Sequence, residues 1–204
     1  MNPFSQGWSN TTNTRNAGAG QSGSQWRQGP SVYGALPYPA QNAAPNAIGF
    51  AFLPSNGGTS VLNSVVNGPQ SQTYFRVTTD STAAGFSMVQ NARHETIAII
   101  EWRKHPVVEI CGIVSNRKTS QFLPLSADRT HRLMNVRGRN FRWMPDTQSV
   151  GLYSVSPVSP QFFGRICQTR DGTTFEVTAE ALQLGLLEIF VVSALLLMCG
   201  RNID

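Results

Sequence analysis

The sequence predicts a mainly β protein: a closed antiparallel barrel of about 12 strands around a hydrophobic C-terminal α-helix, preceded by a disordered N-terminal tail. Three observations predict it. Short apolar or alternating runs recur every ~8 to 14 residues between turn signals from Ile48 onward. No helical period of useful length precedes Thr178. The chain then ends on one long apolar segment, Thr178 to Asn202. A sandwich would fill its core with its own two sheet faces and leave no room for that segment. A barrel of about 12 strands has the opposite difficulty, because about eight strands already mark the width that side chains just fill. One apolar rod through the middle resolves both.

The elements follow in order. Residues 1–46 are Asn, Ser, Gly, Gln, Ala and Pro, with only Arg15 and Arg27 charged. Such a segment buries too little apolar surface to offset its ordering entropy, and disorder is expected. Its scattered aromatics (Phe4, Trp8, Trp26, Tyr33, Tyr38) leave open an inert extension or a weakly self-associating tail. The domain is expected over 47–204. Strands are predicted at 48–53, 60–66, 73–78, 85–91, 95–103, 107–114, 120–123, 130–136, 139–144, 150–154, 162–169 and 173–177. Asn56-Gly57-Gly58 and Asn67-Gly68-Pro69 read as turns, and Arg137-Gly138 and Asp171-Gly172 as two-residue hairpins. In the 95–103 strand, Ile97, Ile99 and Glu101 share one face and Ala98, Ile100 and Trp102 the other, so Trp102 is expected in the core.

The central helix is expected over about 179–199, with Thr178 as N-cap, Glu180 at the positive end of the dipole and Gly200 as stop. It reads as apolar nearly all round, so protein or lipid must cover it. The alternative is a tail-anchored protein with residues 181–199 spanning the bilayer. The energetics oppose that. The apolar residues contribute roughly −5 kcal/mol on an insertion scale, and mid-segment Glu188 returns about 3 kcal/mol of it. Glu188 is therefore expected as a structural group, paired near one barrel mouth.

At a net charge of +5, the chain tolerates anionic partners without demanding them. Its three cysteines have no ligand or disulfide spacing, which suggests reduced, buried thiols inside a cell. No apolar leader opens the sequence, and a cytoplasmic location, peripheral at membranes, is expected. His94, His105 and His131 stand far apart, and no nucleophile elbow, phosphate loop or zinc spacing is present. No enzymatic activity, metal or cofactor is expected.

Four stretches carry a family resemblance: Ile99–Trp102 (I-I-E-W), Phe122–Ser126 (F-L-P-L-S), Asn140–Asp146 (N-F-R-W-M-P-D) and Leu186–Asn202. They resemble a domain of unknown function from mushroom-forming fungi, itself similar to the tubby C-terminal-like superfamily with the phospholipid scramblases and LURP-one-related proteins. The resemblance implies a barrel of about 12 strands around a hydrophobic helix, and covers about 48–202. It implies no scramblase activity, since no calcium loop of spaced acids is present. Phe141 and Trp143, with Trp102, are expected in the core.

Arg129, Arg132, Arg137, Arg139 and Arg142 fall within a short stretch, and the Arg137-Gly138 hairpin is expected to gather the last four. Such a cluster suits phosphate bidentately. Tubby-like domains hold phosphoinositides on a basic wall, so Arg132, Arg137, Arg139 and Arg142 are the candidate site for anionic membrane lipid. A solvated rim is the plainer reading. No specific nucleic acid is expected, and a monomer is.

Overall fold

The computed structural model describes residues 46–204 apart from Asn56 and residues 81–84. The expected tail lies outside the described residues, Asn46 excepted. Twelve strands form a single antiparallel sheet: β1 (Ala47–Pro54), β2 (Ser64–Asn67), β3 (Thr73–Thr79), β4 (Phe86–Asn91), β5 (Thr96–Glu101), β6 (Val107–Ile110), β7 (Val114–Lys118), β8 (Arg132–Val136), β9 (Arg139–Pro145), β10 (Ser149–Ser154), β11 (Phe162–Thr169) and β12 (Gly172–Thr178). Their order is β7-β6-β5-β4-β3-β2-β1-β12-β11-β10-β9-β8. The first and last strands thus meet in the middle, and the sheet wraps until β7 and β8 face each other across a seam. No ladder joins those two edges. A single helical turn, α1 (Thr119–Phe122), fills the gap, with Phe122 and Leu123 buried beneath it.

Alternation does the sorting. In β5, Ala98 and Ile100 point inward with the adjoining Trp102, while Ile97, Ile99 and Glu101 face out. The inward set from every wall meets α3 (Leu187–Met198), whose residues Ile189–Leu196 are all buried. Phe190 is its central contact: its ring stands edge-on to Trp143 at 5.1 Å and stacks with Phe175 at 6.3 Å. It presses so close to the wall that a Cβ on Gly164 would lie 2.8 Å from its Cζ and 2.1 Å from the Glu176 carbonyl.

The helix is where expectation and structure part. It does not run unbroken over 179–199. A short α2 (Ala179–Gln183), capped by the Thr178 hydroxyl, ends in a left-handed Gly185 at φ 67°. The Gly185 and Leu186 amides bond back to the Leu182 and Ala181 carbonyls, the paired bonds of a Schellman stop. Glu188 therefore opens α3 rather than sitting mid-helix, and is half-buried, not core. The pairing expected for Glu188 is not found among the described residues, and Arg137 donates to the Leu184 carbonyl at the break. No helix among the described residues is long and apolar enough to cross a membrane, so nothing supports the spanning reading of 181–199.

Two strand expectations also change. Residues 107–114 form not one strand but the end of a hairpin, because Gly112 at φ 69° turns the chain after Ile110. Residues 120–122 are helical, and the seventh strand lies earlier in the chain, as β7 at Val114–Lys118. The last hairpin turns on Arg170-Asp171, since Gly172 already pairs with Thr169.

The registers define two ends. Asn46, the Arg137-Gly138 turn and the Gly185 break lie at one, here the base. Pro54, Trp102, Lys118, Arg132 and the exit of α3 lie at the other, the head.

Candidate functional site

The interior is packed with side chains, so any site must lie on the outer surface. The three histidines stand apart, and His131 shares a 2.9 Å hydrogen bond with the Thr130 hydroxyl and lies 3.8 Å from the Asp128 carboxylate. His94 sits in an exposed base turn, while His105 and His131 belong to separate head loops. Among the described residues, no three His, Cys, Asp or Glu side chains gather as metal ligands. Trp102, Phe141 and Trp143 are buried at 9%, 2% and 1% exposure.

The hairpin of β8 and β9 does not gather the four arginines. Arg132 pairs across with Trp143 and Leu133 with Arg142, so Arg132 and Arg142 project to opposite faces of the sheet. Arg132 points inward at the head, where it bonds the Leu123 carbonyl and the Asp204 carboxylate. Arg142 lies on the outer wall between Leu133 and Tyr153, its Nε buried without a hydrogen-bond partner. Arg137 and Arg139 flank the turn at the base. At about 3.3 Å per residue, four to five residues of strand put roughly 15 Å between that turn and Arg132. Arg129 is exposed in the loop before β8.

A different basic group does assemble. Val107 pairs with Lys118 and Val108 with Arg117, so the Arg103-Lys104 corner between β5 and β6 stands beside the end of β7. Arg201, leaving α3, lies over the Trp102 ring at 4.8 Å. Trp102 is fixed from beneath by its indole N–H to Ser87 Oγ at 2.7 Å, and Ser87 shares a 2.7 Å bond with the Thr79 hydroxyl. Two of the acids nearby are engaged, Glu101 with Arg103 and Asp204 with Arg132, and a third, Asp80, lines one surface pocket with Arg201. Among the described residues, no carboxylate pairs with Lys104, Arg117, Lys118 or Arg201. Phe86, 42% exposed, pairs across with Glu101 on the adjoining wall. On its β5–β7 side the head rim therefore offers four exposed cations without a carboxylate partner among the described residues, and exposed Phe86.

Sequence reasoning missed this rim although both dipeptides, Arg103-Lys104 and Arg117-Lys118, are legible. Their meeting depended on the turn at Gly112, which the single strand expected at 107–114 concealed. Arg201 could not be placed without the path of α3.

The fold and surface together define a helix-centred antiparallel β-barrel with a basic rim and, among the described residues, no cluster of metal-ligating side chains. The sequence profile of a family of unknown function, DUF6593, matches residues 59–198, and the chain belongs to that family. No curated protein matches. Among solved structures, an Arabidopsis thaliana protein determined by X-ray is similar, with 13% identity and a TM-score of 0.40 over 74% of this chain and 93% of that one.

Proposed function

We propose that the protein is a non-enzymatic binding module that docks its head rim on an anionic phospholipid surface. The observation that carries this reading is the placement of exposed Lys104, Arg117, Lys118 and Arg201 on the β5–β7 side of the head, Arg117 and Lys118 leaving β7 on opposite faces, with no carboxylate partner for any of the four among the described residues and with exposed Phe86 on the adjoining wall. Each basic residue near an anionic leaflet contributes about 1 kcal/mol, so the four together supply roughly 4 kcal/mol, enough for reversible peripheral binding. Phe86 adds an apolar contact at headgroup depth. The resemblance to tubby-like barrels, read from the sequence, supports the same ligand class. It moves the contact from the β8–β9 hairpin to the opposite side of the seam. The module works as a monomer with no cofactor.

Vesicle co-sedimentation tests it, comparing neutral phosphatidylcholine with the same lipid carrying phosphatidylserine or a phosphatidylinositol phosphate. Binding should require anionic lipid and weaken steeply with salt. Replacing Lys104 and Lys118 by Ala should cost about 2 kcal/mol, or roughly 30-fold in affinity. Replacing Arg137 and Arg139 at the base should change little. Equal binding to neutral and anionic vesicles would overturn the proposal. Loss through the base pair alone would return the site to the hairpin.

A further inference from the structure

Every junction in this barrel wall but one is a ladder of backbone hydrogen bonds, four of them with a local register shift. The exception is the seam between β7 and β8. At its head end it is crossed by the strap 201–204, in three contacts. The Thr119 hydroxyl, itself buried, donates to the Ile203 carbonyl. The Ile203 side chain is buried at 6% exposure, in the same apolar cluster as Trp102, Val108 and Phe122. The Arg132 guanidinium, from the other edge, holds the Asp204 carboxylate with two bonds of 2.9 and 2.8 Å and the Leu123 carbonyl with a third of 2.8 Å. One strap thus ties the α1 side of the gap to the β8 side. Cys199 lies at its root: its Sγ accepts the Arg201 amide at 3.4 Å, and burial pushes its thiol pKa up.

We infer that 201–204 is a releasable latch, and that the barrel opens first at the β7–β8 seam when the Asp204–Arg132 pair lets go. Opening anywhere else requires unzipping a ladder. Releasing the strap breaks a side-chain pair, one hydroxyl bond, the Arg201 contact with the Trp102 ring and the seating of one isoleucine, and leaves at the seam only the short pairing of 124–126 with 131–133 and the Arg132 bond to the Leu123 carbonyl. Release loosens the seam beside β7 and the part of β8 beyond its short pairing with 124–126, and uncovers the head end of α3, where Leu197 and Met198 are already only half-buried. The inference shares Arg201 with the lipid reading but does not rest on it, because it concerns how the wall opens and not what binds the rim.

Thiol labelling of the full chain tests it. In a Cys111→Ser background, the rates at which a maleimide modifies Cys199 and Cys167 are followed by mass spectrometry. Cys167 is the internal control: it is half-buried on the β11 wall, away from the seam, and burial raises its thiol pKa as well. Asp204→Asn keeps the size and removes the charge, and Ile203→Ala removes the buried side chain. Either should speed labelling of Cys199 at least fivefold while that of Cys167 stays within twofold of the parent. Unchanged Cys199 labelling in a folded Asp204→Asn variant would overturn the latch. Equal acceleration at both thiols would overturn it too, by showing general loosening in place of a local opening. Should Ile203→Ala fail to fold, the Asp204→Asn comparison decides alone.

Discussion

Inside the barrel, the side chain of each residue is judged by what surrounds it, and two neighbours on α3 make opposite cases. Phe190 is fully buried against Trp143 and Phe175. Phe190→Ala should cost about 3 to 5 kcal/mol, because a close-packed wall cannot collapse into the space left behind. Ser193 is equally buried, yet its hydroxyl has no hydrogen-bond partner among the described residues. Removing an unsatisfied polar atom forfeits no bond and lifts a desolvation cost. Ser193→Ala should therefore leave stability unchanged or raise it by about 1 kcal/mol. Chemical denaturation of both variants checks the contrast. A Ser193→Ala loss above 1 kcal/mol would show that the hydroxyl has a partner after all.

Elements were legible in the sequence where one face is apolar and opaque where burial is local. The β5 run declared itself through its branched residues, and its inward face was readable down to Trp102. The strand β7, V-S-N-R-K, buries only Val114, as suits an edge strand that must not invite pairing, and so carries no periodic signal. The helix α1 is one turn long and exists to sink Phe122 and Leu123 into the seam, which no propensity encodes. Gly185 was visible, but leucines on both sides disguised the stop. Of the candidate site, the arginines were legible as charges and not as directions, because strand parity sends Arg132 in and Arg142 out. The seam also sets a pH response. The Arg132 hydrogen bonds hold the Asp204 carboxyl below its ordinary value of 3.8. A carboxyl depressed in the folded state stabilises that state fully above the unfolded value and loses this contribution as pH falls through the folded one. Asp128, before β8, is lowered further, to about 2, first by the Ser126 hydroxyl and then by Thr130. Methyl NMR of Ile203 should show the strap intact above pH 3.8 and releasing only below it, and Asp204→Asn should abolish that titration. A midpoint above 3.8 would mean that Arg132 does not hold the carboxylate in solution.

At the scale of the whole molecule, the wall and the rod are one cooperative object. A sheet of this strand number encloses more width than its own inward side chains fill, and α3 supplies the difference. Six large apolar residues of that helix, Ile189, Phe190, Val191, Val192, Leu195 and Leu196, are buried to 1% exposure or less. At about 1.5 to 3 kcal/mol for each such side chain, their burial contributes roughly 9 to 18 kcal/mol. That matches or exceeds the net stability of an ordinary domain, about 5 to 15 kcal/mol. A chain stopped after Thr178 keeps all twelve strands and every ladder, so on hydrogen bonding alone it should persist. On packing it should not. We expect that truncation to lose the cooperative thermal transition and to bind a hydrophobic dye, with far-UV signal retained in part at most. A sharp transition in the truncated chain within a few degrees of the parent would show that the ladders hold the cylinder open unaided. The helix would then be a passenger, not the core on which the wall is built.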